Sequence, residues 1–188
     1  TSFRQRQETG DFLPANPPYG YIKSKERQFR YDVDEKTAPY IRMLFEWKAE
    51  GVSHAEMARR LNEMGAVTPA RLKVELGLWR AEKYKHTVWG GRTLIDILTN
   101  PVYTGALVYG KMPKALYMGI RGRRAPKEEW RILEGMHEPI VSRELFDRVQ
   151  DIFEQNRKIT KEKYEANAKN REGVENPFKG KINCADCG

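Results

Sequence analysis

The sequence predicts a mainly α-helical chain with a small antiparallel β element, in which a helix-turn-helix-like domain is followed by a long C-terminal helix. Three observations carry this. Apolar residues recur at spacings of three and four around residues 34–51, 53–64 and 91–99, and again from Ser142 onward. The block 102–134 is rich instead in β-formers, punctuated by Gly105 and Gly110. The 188 residues are 39% apolar and 32% charged with both signs mixed, enough apolar content for a core.

Residues 1–18 carry Gly10, Pro14, Pro17 and Pro18 with little periodicity and read as a linker. Residues 19–33 read as a short extended piece led by Tyr19, Tyr21 and Ile22 and loaded with Lys23, Lys25, Arg27 and Arg30. The first helix is expected to be capped by Asp34, with Pro39 near its first turn, Ile41, Leu44, Phe45 and Lys48-Ala49 on its inner face, and Gly51 as its stop. Ser53-His-Ala-Glu56 fits a capping box, in which the serine accepts a backbone amide and Glu56 reaches back. Met57, Leu61 and Met64 then form the buried stripe, and Gly65 stops the helix.

A long polar stretch over 70–88 reads as a loop with room for a short helix. The third helix opens at Gly90-Gly91-Arg92-Thr93, buries Leu94, Ile95 and Leu98, and ends at Asn100-Pro101. Val102-Tyr103-Thr104, Ala106–Tyr109, Leu116–Met118 and Glu129–Leu133 read as strands. In the last helix Leu145, Val149, Ile152 and Phe153 make the stripe, with Glu144/Arg148 and Glu154/Lys158 as i,i+4 pairs. Beyond Arg157 the stripe fades to a solvated helix or flexible linker.

The formal charge is +8 at pH 7, which favours an anionic partner: nucleic acid, an anionic membrane face or an acidic protein. No apolar run is long enough to span a membrane, and the polar start Thr1–Arg6 does not read as a signal peptide. The two cysteines, Cys184 and Cys187, sit together at the end, so no disulfide framework is expected and the chain reads as cytoplasmic. They offer two of the four ligands zinc takes, half of a site expected to be empty in this chain; a redox role would need a thioredoxin-like context. Walker loops, zinc-protease motifs and nucleophile elbows are absent, and no small-molecule substrate is expected.

Three groups of residues are candidates for contacting double-stranded DNA. In a helix-turn-helix the second helix enters the major groove with its first residues on base edges. That places Gly91, Arg92 and Thr93 there, with Arg92 suited to guanine and the helix amides to phosphate. An ordinary helical bundle with an exposed Arg92 is the other reading of the same pattern. In the stretch 70–88, Arg71, Lys73, Arg80, Lys83, Lys85 and His86 suit phosphate contacts, or belong to a solvated loop neutralised by Glu75 and Glu82. Arg121, Arg123 and Arg124 suit a narrow minor groove or a phosphate, or are a surface charge run.

Pro17–Tyr21, Ala38–Trp47, Gly51–Asn62, Ile97–Gly105 and His137–Ser142, taken in order, resemble the recombinase domain of large serine recombinases. The closing Asn183-Cys-Ala-Asp-Cys-Gly188 is similar to the start of that family's zinc ribbon. The resemblance runs from about 17 to 188 and implies a bacterial phage integrase or transposon recombinase that binds attachment or transposon-end sites. It implies a nucleoid-associated parent protein that is a dimer on each site and a tetramer in synapsis, with zinc in the full-length protein. On this reading 1–18 follows an N-terminal catalytic domain, 19–141 is the DNA-binding domain, 142–175 is helix and linker, and 176–188 begins the ribbon. The family's nucleophilic serine lies in that catalytic domain, so this chain is expected not to be an enzyme by itself. None of Ser2, Ser24, Ser53 and Ser142 is given a catalytic role. The alternatives are a helix-turn-helix transcription regulator and a metal or redox protein using Cys184 and Cys187.

Overall fold

The computed structural model describes residues 3–14, 16–80, 82–111 and 125–169. It falls into two units, residues 1–150 and 151–188. The first unit is mainly helical, with two small antiparallel ladders. Helix α1 covers Phe3–Glu8. Strands β1 (Tyr21–Lys23) and β2 (Tyr31–Val33) form a hairpin that pairs Tyr21 with Val33 and Lys23 with Tyr31. Helices α2 (Ala38–Ala49) and α3 (His54–Glu63) follow, then α4 (Pro69–Glu75), a 3-10 turn at Glu82–Tyr84, and α5 (Gly91–Leu98). A 3-10 turn at Pro101–Thr104 leads into β3 (Leu107–Tyr109), which pairs with β4 (Arg131–Leu133). Helix α6 starts at Arg143 and runs to Lys169.

Helix α2 begins later than Asp34 suggested. Residues 34–37 make a turn in which the Asp34 carbonyl accepts the amides of Thr37 and Ala38. Its carboxylate accepts the Lys36 amide and the Thr37 hydroxyl, leaving Thr37 in the capping position. In α3 half of the capping box forms. Ser53 accepts the Glu56 amide, but the Glu56 carboxylate turns to Arg59 and Arg60. Two guanidiniums offer a carboxylate more than one further amide does, and they hold the Glu56 carboxyl down to about 2.

The core joins three helices to the hairpin. Helix α5 packs on α2 and α3, burying Leu94, Ile97 and Leu98 against Ile41, Leu44, Phe45, Met57 and Leu61. Side chains of this size contribute about 1.5–3 kcal/mol each when fully buried. Met64, expected on that stripe, is half exposed because α3 ends at Glu63 and the chain turns away through Gly65. Ile97, rather than Ile95, completes the inner face of α5. The hairpin adds Tyr21 and Tyr31, which meet the His137 ring edge-on at 4.7 and 5.4 Å. Tyr21 also stacks on Tyr103 at 6.1 Å.

Val102–Thr104 is not a strand: Asn100 caps it by accepting the Val102 amide, Pro101 sets the first turn, and Gly105 closes it at φ +87°. The segment read as a linker carries α1 and lies on the first unit. There Tyr109 donates its hydroxyl to the Phe12 carbonyl, and Arg30 donates to the Gly10 carbonyl. In α6 the inner residues are Phe146 and Val149. Among the described residues its i,i+4 ion pairs are Arg143–Asp147 and Lys161–Glu165, in place of the two pairs expected. From Glu154 to Ala168 every residue is exposed, so this stretch of the second unit is a solvated helix. The expected strand at Leu116–Met118 lies outside the described residues.

Candidate nucleic-acid interface

Helix α5 starts without a side-chain cap. Gly90, its cap residue, is extended at φ −145° and ψ 160° and has no side chain to accept the first amides. An uncapped helix start presents backbone N–H groups to any nearby acceptor. Arg92 stands beside them with 79% of its side chain exposed, paired with Asp96 at 3.4 Å. Thr93 is half-buried next to it. Gly91 comes close to α3: a Cβ placed on it would lie 3.8 Å from that of His54. The start of α5 is therefore seated against the start of α3, on the side where Leu94, Ile97 and Leu98 are buried, and Arg92 stands on the exposed side.

The stretch between α3 and α5 is a structured insertion closed at its base. The Asn62 carboxamide accepts the Trp89 amide at 2.8 Å and donates to the Trp89 carbonyl at 3.2 Å. The buried Trp89 ring donates to the Ala66 carbonyl and packs edge-on against Tyr19, whose hydroxyl donates to the Val67 carbonyl. The hydroxyls of Thr68 and Thr87 meet at 2.7 Å. Thr68 also accepts the Arg71 amide, so one side chain both closes the loop and caps α4.

Beyond that base, the candidate cations differ in their setting. Lys73 lies 4.7 Å over the Trp79 ring, Trp79 contacts Tyr84 at 5.0 Å, and Lys83 lies 5.1 Å over Tyr84. Two aromatic rings thus hold two ammonium groups by their electron-rich faces. Partial burial pushes the Lys73 pKa down from its ordinary value. Arg71 is tied to Glu75 at 2.8 Å and Lys85 to Glu82 at 2.6 Å; both pairs are exposed and can exchange partners at little cost. Arg80 and His86 are exposed with no ion pair among the described residues. Arg121, Arg123, Arg124, Cys184 and Cys187 lie outside the described residues. Among the described ones no group of three His, Cys, Asp or Glu is placed to hold a metal.

The three described serines serve backbone geometry. Ser24 accepts the Arg27 amide, Ser53 the Glu56 amide and Ser142 the Leu145 amide. A cavity of about 390 Å³, between the N-terminal segment and β3, is lined by Gln7, Phe12, Asn100 and Lys111 among others and contains none of the candidate DNA-contacting residues. A second, of about 340 Å³, lies between the N-terminal segment and the β1–β2 hairpin. It brings Arg6, Lys23 and Arg30 to one place. The charge on 23–30 was visible in the sequence, but its junction with Arg6 depends on the fold. None of the described helices is long and apolar enough to cross a membrane.

A helical core with an uncapped helix start and an adjoining cation-bearing insertion makes this a basic α-helical domain. The family model described as Recombinase matches residues 35–156, most of the chain. The chain belongs to the Recombinase family, the recombinase domain of large serine recombinases that its motifs resemble. A relative from Sinorhizobium fredii (strain NBRC 101917 / NGR234), described as uncharacterized protein y4bA/y4pH, is 25% identical over 146 residues, covering 74% of this chain and 20% of the relative. The chain is also similar to a solved structure described as a crystal structure of a LSR-DNA complex, with 21% identity, a TM-score of 0.46, and 76% of this chain and 33% of that chain covered. Another, from work on the sequence requirements of the Listeria innocua prophage attP site, shows 22% identity, a TM-score of 0.49, and 80% and 48% coverage. The chain spans a fifth of the curated relative's length and a third to about half of these two solved chains.

Proposed function

We propose that this chain is a sequence-specific double-stranded-DNA-binding part of a large serine recombinase and that it recognises attachment or transposon-end sites. The observation that carries the reading is the start of α5. It combines uncapped backbone amides with the exposed Arg92 on a helix whose other face is locked into the core. In a helix-turn-helix arrangement α5 enters the major groove, Arg92 leaves Asp96 for a guanine edge, and Thr93 and the helix amides take a phosphate. The insertion adds phosphate contacts from Arg71, Lys73, Arg80, Lys83, Lys85 and His86, which position the helix without reading sequence. Arg121, Arg123 and Arg124 belong to the same reading as backbone or minor-groove contacts.

Strand exchange, with dimers on each site and a tetramer in synapsis, belongs to the parent protein on this proposal. Cys184 and Cys187 supply two of the four ligands that zinc takes, so no step here is assigned to the metal.

The test is fluorescence-anisotropy binding to end sequences of the source genetic element and to random duplex, across a salt series. Preference for one end sequence that survives moderate salt is the expected result. Equal, salt-labile binding to every duplex would leave only non-specific affinity and overturn site recognition.

A further inference from the structure

The cavity between the N-terminal segment and the β1–β2 hairpin is lined by Arg6, Phe12, Leu13, Lys23, Ser24, Gln28, Phe29 and Arg30, with no carboxylate among them. We propose that it is a phosphate-binding site that takes a phosphodiester of duplex DNA, outside the residues assigned above to α5 and the insertion. The inference rests on the duplex-binding reading and deepens it.

The charge pattern carries the argument. Several arginines of the first unit sit with acids, Arg27 with Asp32, Arg59 with Glu56 and Glu63, Arg71 with Glu75, Arg92 with Asp96, and Arg143 with Glu134 and Asp147, while Arg42, Arg80 and Arg148 have no ion pair among the described residues and line no shared cavity. Arg6, Lys23 and Arg30 face one cavity and have no ion pair among the described residues. The nearby carboxylates are engaged elsewhere: Asp32 with Arg27 at 2.8 Å, Glu8 with Arg131 at 3.8 Å, and Asp11, whose amide bonds the Arg6 carbonyl, with the Thr9 hydroxyl at 2.6 Å. Three cations round one concavity with no ion pair of their own repel each other, and an anion relieves that repulsion.

The site is also built. One terminal nitrogen of Arg30 donates to the Gly10 carbonyl at 3.2 Å and the Phe29 carbonyl at 2.9 Å, which orients the guanidinium and leaves its other donors for a ligand. Phe29 adopts a left-handed φ of 57°, an uncommon conformation for a non-glycine residue. Its ring lies 5.9 Å from the Arg6 guanidinium and holds that cation at the rim. Lys23, exposed at the end of β1, supplies a point charge on a flexible stem. Gln28 adds hydrogen-bonding capacity, and Phe12, Leu13 and Phe29 add apolar wall of the kind a deoxyribose packs against.

The experiment titrates the full chain and its variants Lys23→Gln, Arg6→Gln and Lys25→Gln with end-sequence and random duplexes across a salt series. Lys25 is an exposed lysine of the same hairpin and does not line the cavity. Thermal melts check that each variant folds. Lys23→Gln and Arg6→Gln should each reduce the magnitude of the slope of log affinity against log salt by about 0.9, with equal effects on both duplexes, while Lys25→Gln leaves it unchanged. Wild-type slopes in the two cavity variants, or the same loss in all three, would overturn the cavity site and leave the function proposed above standing. Failure of the unaltered chain to bind any duplex overturns both. A parallel calorimetric titration with inorganic phosphate separates the sources. Phosphate binding that needs Arg6 and Lys23, with DNA affinity unchanged in the variants, assigns the cavity to a free phosphate and overturns the DNA contact.

Discussion

Asn62 and Trp89 hold each other twice across an insertion of more than twenty residues: the Asn62 carboxamide accepts the Trp89 amide and donates to the Trp89 carbonyl. A single side chain near the end of α3 thereby satisfies both backbone groups of a residue just ahead of α5. Asn62→Ala leaves both groups of the buried Trp89 without their partner and is expected to cost about 1–3 kcal/mol in chemical denaturation. Limited proteolysis should also cut faster within 64–88. Stability and cleavage equal to the parent chain would show that Thr68 and Thr87 close the insertion unaided.

Gly105 and Gly65 both have positive φ, yet alanine should distinguish them. A Cβ on Gly105 would lie 2.6 Å from the His137 carbonyl oxygen, whereas one on Gly65 meets nothing within 4 Å. Gly65→Ala should therefore cost only the left-handed backbone penalty, about 1–2 kcal/mol. Gly105→Ala must also displace the His137 backbone, and its melting temperature should fall well below that of Gly65→Ala. Equal melting temperatures would mean that the chain at His137 yields freely.

His137 links this turn to pH. Burial is the largest influence holding its pKa below the ordinary 6.5; the charges of Arg30 and Arg27 act the same way, and the bond to the Val102 carbonyl opposes them. Its Nε2 lies 2.9 Å from that carbonyl, and its buried Nδ1 has no hydrogen-bond partner among the described residues. The folded state thus favours the neutral ring, and the unfolded chain takes up the proton first. Stability is complete above about pH 6.5 and is lost as pH falls toward the depressed folded value. His54, lowered by burial and by the charge of Lys48, contributes with the same sign. Denaturation midpoints measured from about pH 8 to about pH 5 should fall less steeply in His137→Gln than in the parent. An identical slope would remove His137 from the account.

On DNA, Arg92→Ala should lower affinity for the preferred sequence by about 1–3 kcal/mol and reduce discrimination against random duplex. Lys83→Ala should weaken all sequences alike and flatten the salt dependence. Competition binding with specific and random duplexes reads both. Equal losses on the two duplexes for Arg92→Ala would place it on the backbone and move sequence reading elsewhere.

Much of this was legible in the order of residues. The three-and-four spacing of Ile41, Leu44 and Phe45, the Ser53 cap, and the stop at Gly65 are local signals, and local hydrogen bonding obeys them. The motif order from Pro17 to Ser142 pointed to the family by itself, and the charge on 23–30 and 70–88 was plain. What the tertiary structure decided are the partnerships between distant residues. Glu56 chose two arginines over its own helix cap, Val102–Thr104 coiled instead of extending, and Asn62 and Thr68 closed an insertion that pattern alone read as a loop. Arg6 met Lys23 and Arg30 because the N-terminal segment lies against the hairpin. Periodicity reports which face of an element is buried; which cation faces which across space depends on loop closures and packing that no spacing rule encodes.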